Sequence, residues 1–183
     1  PEMIGANLPY FEKISGPARN TFSYSKGEKT NVYKVEGCEV TVQVSNGSIQ
    51  SLGLDSLGPK CSFSLNKFLP NTVGLPPLHQ MTFGQFDSAT GGGQYGADCL
   101  VGCGVAKEPD AYEVWRASAA DNGYEVQVGV ALSGLAWDAA KTWLDTMLKN
   151  QSEDWVVDRK FVCNKKYNPL AQKSFKDVKI TSV

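Results

Sequence analysis

The chain has 183 residues, enough for one large domain or for two small, closely packed halves, and its 42% hydrophobic content is sufficient for a buried core. Its 18 basic and 19 acidic residues give a formal net charge of −1 and form no run of like charge, which excludes nucleic acid as an expected partner. No apolar run approaches the length of a transmembrane segment.

The first predicted elements are a short helix and a strand. The segment Leu8–Ile14 carries apolar residues at helical spacing and stops at Gly16-Pro17, which is a helix-ending signal. The residues after it are polar and rich in turn formers. A strand is predicted within them at Thr21–Tyr24.

A β-hairpin follows between Tyr33 and Leu54. Three valines of its first strand alternate with polar residues, as on a strand with one buried face: Val40, Val42 and Val44. The Asn46-Gly47 dipeptide predicts a type I′ turn, which needs positive φ at both central residues. Such a turn places Ile49 opposite Val44. The later leucines have the other parity, so a bulge is predicted near residues 50–51.

The middle of the chain is interrupted by loops. Alternation from Cys61 to Asn66 predicts a further strand, and the prolines of Pro70–Pro77 predict a loop. Met81–Phe86 is a short apolar segment, and three consecutive glycines then open a flexible stretch. One or two helical turns are predicted for Asp98–Cys103.

The second half contains the longest predicted helix. Strands are predicted at Tyr112–Ala117 and Tyr124–Leu132, the helix at Leu135–Lys149, and a last strand at Phe175–Val183. The sequence therefore predicts an α+β fold, with a curved antiparallel sheet and the long helix packed on it. The contact residues expected on that helix are Trp137, Ala140, Leu144 and Met147. The predicted core includes Val40, Val42, Val44, Val126, Val128 and Val130.

Two parts of the chain, about 8–66 and 96–150, are similar in pattern. The first contains Phe11-Glu-Lys-Ile-Ser-Gly-Pro-Ala, Tyr33-Lys-Val and Glu39-Val-Thr-Val-Gln-Val; the second contains Cys99-Leu-Val-Gly-Cys-Gly-Val-Ala, Tyr112-Glu-Val and Glu125-Val-Gln-Val-Gly-Val. Any two αβ segments share such features, so two interpretations stay open. The chain is one compact domain at residues 1–183, or it consists of two helix-plus-meander repeats joined by a loop rich in proline and glycine.

A short helix ending at Gly-Pro, followed by a meander that turns at Asn-Gly, resembles the BamE/SmpA type of outer-membrane-assembly lipoprotein. The tandem form resembles the β-lactamase inhibitor protein fold. These resemblances imply an extracytoplasmic α+β protein that binds another protein on a sheet face. The repeats differ in length and the 135–149 helix has no counterpart in the first half, so no functional residue is carried over from either family.

The cysteines predict disulfide bonds in an oxidising compartment. They stand at Cys38, Cys61, Cys99, Cys103 and Cys163, with a single histidine, and zinc sites need more close pairs of ligands than this. Cys38–Cys61 is the favoured pair because both residues lie at strand starts that flank the hairpin. Cys99–Cys103 is the second candidate and requires a distorted turn. Cys163 is left free or replaces a member of one pair.

Neither a cofactor nor a metal site is predicted. Residues 91–96 fit G-x-G-x-x-G, but dinucleotide binding needs a strand before the glycines and a helix after them, so a flexible loop is favoured. Residues 87–98 have the length of a calcium loop. They lack side-chain oxygens at the third and fifth positions, and Asp98 stands where calcium loops have a bidentate Glu.

Two functions remain. The favoured one is a non-catalytic, extracytoplasmic protein-binding module of the inhibitor or envelope-assembly type, whose partner is another protein. Its candidate binding residues are Trp115, Tyr112 and Tyr124, because exposed aromatic side chains dominate many interfaces. Core packing is the alternative role for Trp115. The competing function is a cysteine-dependent hydrolase that uses Cys99 as nucleophile and His79 as base.

Overall fold

Helices and antiparallel strands occupy separate runs of the chain in the computed structural model, which describes residues 3–55, 57–67, 69, 72–98, 109–117, 125–157 and 165–183. The α+β class predicted from the sequence is confirmed. The strands are β1 Asn20–Ser25, β2 Glu28–Val35, β3 Cys38–Ser45, β4 Ser48–Asp55, β5 Gln94–Asp98, β6 Asp110–Arg116 and β7 Glu125–Ala131. The helices are α1 Leu8–Ser15, α2 Phe83–Thr90, α3 Leu135–Leu148, α4 Glu153–Val157 and α5 Asn168–Phe175.

The first sheet is a meander with strand order β1-β2-β3-β4. Its predicted hairpin is confirmed, since Asn46 and Gly47 have φ values of 51° and 82° and Val44 lies opposite Ile49. The next pair is Gln43 with Ser51, so Gln50 is the extra residue of the predicted bulge. Helix α1 lies on one face of this sheet and contributes Leu8 and Phe11 to the same buried cluster as Val42 and Val44.

The second sheet has the order β5-β6-β7 and is covered on one face by helices. Helix α3 buries a stripe that comprises Ala136, Ala139, Ala140, Trp143 and Met147. Ala140 and Met147 confirm the predicted contact face, whereas the prediction for Trp137 is wrong, because this side chain is 47% exposed. Trp143 takes that role because its ring meets Phe175 of α5 edge-on, with ring centroids 5.9 Å apart.

Two predicted strands are wrong. Cys61–Asn66 forms an isolated bridge between Cys61 and Gly58 and then a 3-10 turn at Leu65–Lys67. Among the described residues, no neighbouring strand pairs with this segment, although Cys61 and Leu65 are buried. In Phe175–Val183, Phe175 ends helix α5 and the residues after it make only isolated bridges.

Helix α5 was not predicted from the sequence, and neither were helix α2 and strand β5. Helix α2 begins with a capping box in which Thr82 and Gln85 exchange side-chain and backbone hydrogen bonds, and it ends at Gly91 in the left-handed conformation. Strand β5 follows at once, so Asp98 ends a strand instead of beginning a helical turn. The remainder of that predicted turn lies outside the described residues.

The last residues of the chain join the two sheets. Val183 and Leu54 of β4 exchange two backbone hydrogen bonds, and Ser182 and Gly129 of β7 do the same. Val178 and Ile180 are buried beneath this connection, where they accept from Phe83 and donate to Met81 through the backbone. A short extended segment therefore lies between β4 and β7 and gives the molecule one continuous curved surface of strands.

Candidate functional site

A groove of about 940 Å³ lies between helix α1, the β3-β4 hairpin and strand β7. Its floor includes three half-buried apolar side chains of the first sheet, Val35, Val40 and Leu52. Its walls are formed by apolar residues from four further parts of the chain: Met3, Ile4, Phe11, Ile14, Phe63, Leu65, Val126 and Val183. Pockets of this size with mostly apolar walls are typical of binding sites.

Helix α1 forms one wall because its two ends are fixed. Asn7 caps its first turn by accepting from the Tyr10 amide at 2.9 Å, and the amide of Gly16 closes its last turn by donating to Glu12. Phe11 packs edge-on against the buried Tyr33 ring of β2, with centroids 5.0 Å apart. Ile14 is then left 63% exposed at the mouth of the groove.

A disulfide bond holds the opposite wall. Cys38 at the start of β3 is bonded to Cys61, which confirms the pair favoured from the sequence. Glu36 and Gly37 form the preceding turn with φ values of 48° and 86°, and Gly37 lies directly against the carbonyl oxygen of Lys60. The cross-link therefore brings the 57–65 segment, with Phe63 and Leu65, beside the hairpin.

The groove also passes the open edge of β4. Consecutive residues of β3 and β4, such as Val40 with Thr41 and Ser51 with Leu52, line it although their side chains point to opposite faces of the sheet. On the far side it is lined by residues 125–127 of β7. The groove is therefore a slot between two strand edges as well as a depression on one face.

The charged residues that line the groove are carboxylates. They are Glu36, Asp55 and Glu125, and no lysine or arginine belongs to the described lining. Glu125 is paired with Arg116 at 2.7 Å, and Asp55 accepts from the Thr41 hydroxyl at 3.2 Å. An apolar groove with an acidic border favours an apolar ligand that carries positive charge.

A second cluster, away from the groove, contains a buried carboxyl pair. Glu113 on β6 is fully buried, and neither of its oxygens makes a hydrogen bond of ordinary geometry to the described residues. Asp87 of α2 accepts from the Tyr95 hydroxyl at 2.9 Å and from the Gln172 amide at 3.2 Å. Burial, followed by the charge of Asp87, raises the pKa of Glu113 to about 9. No sequence pattern indicates this pair, because its members lie on different elements.

The binding residues predicted from the sequence lie apart. Trp115 shares a strand face with the buried Ala111 and Glu113, is half-buried against the core, and donates its indole N–H to the Thr90 carbonyl at 3.2 Å. Trp115 therefore has the core-packing role that was the alternative to binding in the sequence analysis. Tyr112 is half-buried on the other face, where its ring covers Gly96 of the neighbouring strand. Tyr124 lies outside the described residues.

Of the two residues in the hydrolase prediction, only His79 lies among the described residues. His79 lies in a 3-10 turn at Leu78–Gln80, and its Nε2 is 3.1 Å from the side-chain nitrogen of Gln80. Cys99, Cys103 and Cys163 lie outside the described residues, so the Cys99–Cys103 pair and the nucleophile expected at Cys99 stay predictions.

The glycine-rich stretch takes a structural role. Gly91 caps helix α2, and the residues that follow lead into strand β5, so the order of elements is the reverse of a dinucleotide-binding turn. A side chain at position 93 would lie 2.8 Å from a Glu113 oxygen. In the described part of the chain, no three His, Cys, Asp or Glu side chains are grouped as metal ligands.

No helix among the described residues is both long and apolar enough to cross a membrane. Comparisons with protein-family models, curated proteins and solved structures found no match. The resemblances to the BamE/SmpA lipoproteins and to the β-lactamase inhibitor protein accordingly stay predictions.

Proposed function

We propose that the protein is a non-catalytic, extracytoplasmic binding module that holds a segment of another protein in the groove. The observation that carries this proposal is the predominantly apolar surface of the groove, in which Val35, Val40 and Leu52 remain partly accessible beside Ile14. Accessible apolar surface that is grouped in one place marks interaction sites on proteins. An inhibitor or an envelope-assembly factor would use such a groove in the same way.

The proposed compartment rests on the disulfide. Cys38 and Cys61 close a loop of 23 residues in sequence separation, and this cross-link supports one wall of the groove. Stable structural disulfides form in oxidising compartments and are rare where thiols are kept reduced. A binding site whose shape depends on the bond therefore favours a secreted or periplasmic location.

A protein segment suits the groove better than a small molecule does. The lining comes from α1, both strands of a hairpin, the 57–65 segment and β7, so the apolar surface extends over several elements. Its volume lies at the upper end of the range for small-molecule pockets, about 300–1,000 Å³. Exposed backbone edges line it as well, and these are groups that an extended peptide recognises.

Site-specific photo-cross-linking tests the proposal. A photoreactive amino acid is placed at position 52 or position 40 in the groove and, in matched variants, at position 112 on the outer face of the second sheet and at position 24 on β1. Each variant is incubated with envelope extract of the source organism, and adducts are identified by mass spectrometry. We expect a defined protein adduct from the groove positions and a weaker one, or none, from the other positions.

A charge substitution in the groove provides a second test of the proposed binding site. Leu52→Glu should weaken capture of the identified protein about tenfold or more, because a carboxylate would be buried against an apolar segment. Adducts from position 112 alone would move the site to the sheet face that was predicted from the sequence. Absence of adducts from both position 52 and position 40 would reject the groove as the binding site.

A further inference from the structure

The segment 181–183 shows how a strand is held between β4 and β7. Val183 donates to and accepts from Leu54, while Ser182 donates to and accepts from Gly129. Thr181 also donates to Gly129 and accepts from Leu57. The bridge to Gly129 is antiparallel, and a reciprocal pair of bonds such as that of Val183 with Leu54 is the antiparallel pattern. At this point both sheets accept an added strand.

The same pattern continues along both edges beyond Val183. Outward-facing backbone groups alternate along a strand, so the next ones after Leu54 and Gly129 belong to Leu52 and Gln127. Gly129 uses its backbone groups on Ser182, away from β6, and Gln127 has the same orientation two residues earlier. Both Leu52 and Gln127 line the groove. Two strand edges therefore face the groove with their donors and acceptors.

We propose that the ligand is an extended peptide segment of the partner protein, which adds as a strand between β4 and β7 and is antiparallel to both. This inference rests on the proposed function and specifies its mode of recognition. The backbone of the segment would pair with Leu52 on one side and with Gln127 on the other. Alternate side chains would be apolar and would lie on Val40 and Leu52, and basic flanking residues would meet Glu36 and Asp55.

A strand fits this site better than a helix. An α-helix with its side chains is about 10–12 Å across and satisfies its own backbone, so it would leave both strand edges unpaired. One strand between two others needs about 4.8 Å on each side, and that spacing already exists where 181–183 is held. Addition of a strand to an open edge takes affinity from main-chain bonds and specificity from alternate side-chain pockets.

Selection from a displayed library tests the proposal and does not require the partner protein to be identified. The probe is a phage library of random peptides of roughly ten residues, the length of a long strand. The target is the full chain with the photoreactive residue at position 52. We expect selected peptides that alternate apolar and polar residues, carry a basic flank, lack central proline and form adducts with position 52.

The decisive step uses the peptide backbone. In each selected peptide, single amides are N-methylated in turn, which removes one N–H at a time and leaves the side chains unchanged. An added strand predicts that methylation weakens binding about five- to tenfold at the amides that pair with β4 or β7. The N–H groups of a strand point alternately to the strands on its two sides. Since the added segment would have β4 on one side and β7 on the other, methylation of nearly every central amide should weaken binding.

A matched pair of protein variants tests the backbone hydrogen bonds by a change in the protein instead of the peptide. Gln127→Pro removes a donor that faces the groove and leaves the bonds of β7 to β6 intact, whereas Gln127→Ala retains the donor and loses the side chain. We expect about a five- to tenfold loss of affinity for the proline variant and less than a twofold change for the alanine variant. If the proline variant does not fold, the N-methyl series on the unaltered protein decides.

The outcomes separate the two proposals. Peptides that form adducts with position 52 but tolerate N-methylation would overturn strand addition and keep the groove as a binding site. Peptides that are selected but form adducts elsewhere, or a library that yields no binder, would count against both proposals. A protein that self-associates in sedimentation experiments, with position 52 linked to a second copy, would replace the partner segment by a strand of another molecule of this chain.

Discussion

Glu113 shows how a single residue couples the fold to pH. It lies on the core face of β6, fully buried, with the Asp87 carboxylate and the Tyr95 hydroxyl nearby. Burial is the main cause that raises its pKa to about 9, from 4.5 for an ordinary glutamate, and repulsion from Asp87 adds to it. The buried side chain is therefore protonated at neutral pH, and Gly93 packs against it where no larger residue fits.

The sign of the pH dependence follows from these two pKa values. Below pH 4.5 the folded and unfolded states both hold the proton, and between pH 4.5 and about 9 only the folded state does. Unfolding in that window releases a proton, so the free energy of unfolding falls as the pH rises. One such group contributes at most about 1.4 kcal/mol per pH unit. The stabilisation from Glu113 is present at acidic pH and is lost toward alkaline pH.

We predict that Glu113→Gln removes this dependence. The amide has nearly the same shape but does not ionise. The free energy of unfolding of the variant should therefore rise relative to that of the wild type by roughly 2–4 kcal/mol as the pH goes from about 5 to about 8. Urea unfolding of both proteins across this range measures the difference, in which titrations elsewhere cancel. Parallel curves for the two proteins would show that Glu113 ionises normally.

At the scale of elements, the first sheet depends on its tight turns. The β2-β3 turn at Glu36-Gly37 and the β3-β4 turn at Asn46-Gly47 both have positive φ at both residues. A glycine supplies the second position of each at no steric cost. The turns differ in their surroundings, because a side-chain carbon at position 37 would clash with the Lys60 backbone oxygen, whereas one at position 47 would meet no described atom within 4 Å.

We predict unequal costs for the same substitution in the two turns. Gly47→Ala places a side chain at positive φ only and should lower the free energy of unfolding by about 1–2 kcal/mol. Gly37→Ala adds a clash with the segment that carries Cys61 and should cost about 3 kcal/mol or more. Chemical denaturation of the two variants provides the comparison. Equal costs would mean that the 57–65 segment is not held against this turn.

At the scale of the whole molecule, residues 178–183 connect the two sheets. The segment contributes the buried Val178 and Ile180 to the larger core and pairs with both β4 and β7. The pairs Leu54–Val183 and Gly129–Ser182 join residues that are distant in sequence, so the chain entropy lost in closing these loops is offset only by the assembled fold. The groove lies directly beside this connection, since Ser182 and Val183 belong to its lining together with Leu54 and Gly129.

Removal of residues 182 and 183 is predicted to loosen the connection. The deletion eliminates four backbone hydrogen bonds, two to Leu54 and two to Gly129, and should lower the free energy of unfolding by about 2–4 kcal/mol. The Ser182→Ala variant of the undeleted chain keeps these bonds and serves as the control, with an expected change below about 0.5 kcal/mol. A deletion as stable as this control would show that the two sheets are held together by the core alone.

Sequence alone determined the local features, because these depend on neighbouring residues. The β3-β4 hairpin, its turn and its bulge follow from alternation and from Asn46-Gly47. The Cys38–Cys61 pair was also predicted, because the two cysteines flank the hairpin, although only Cys38 begins a strand. A helix near 135–148 follows from apolar spacing. The capping box Thr82–Gln85 is a local signal of the same kind for helix α2, although the apolar pattern of that segment is too short to predict a helix.

Tertiary structure decided which face of helix α3 is buried, which residues pair and where the groove lies. Trp137 and Trp143 are equally apolar, and only the position of Phe175 buries the second. Asp87 and Glu113 form a pair because α2 and β6 meet, and Cys61–Asn66 is no strand because no described strand lies beside it. The groove is bounded by described residues from five parts of the chain. Its shape arises from contacts distant in sequence, which no local pattern encodes, since the free energy that selects them comes from burial in the assembled fold.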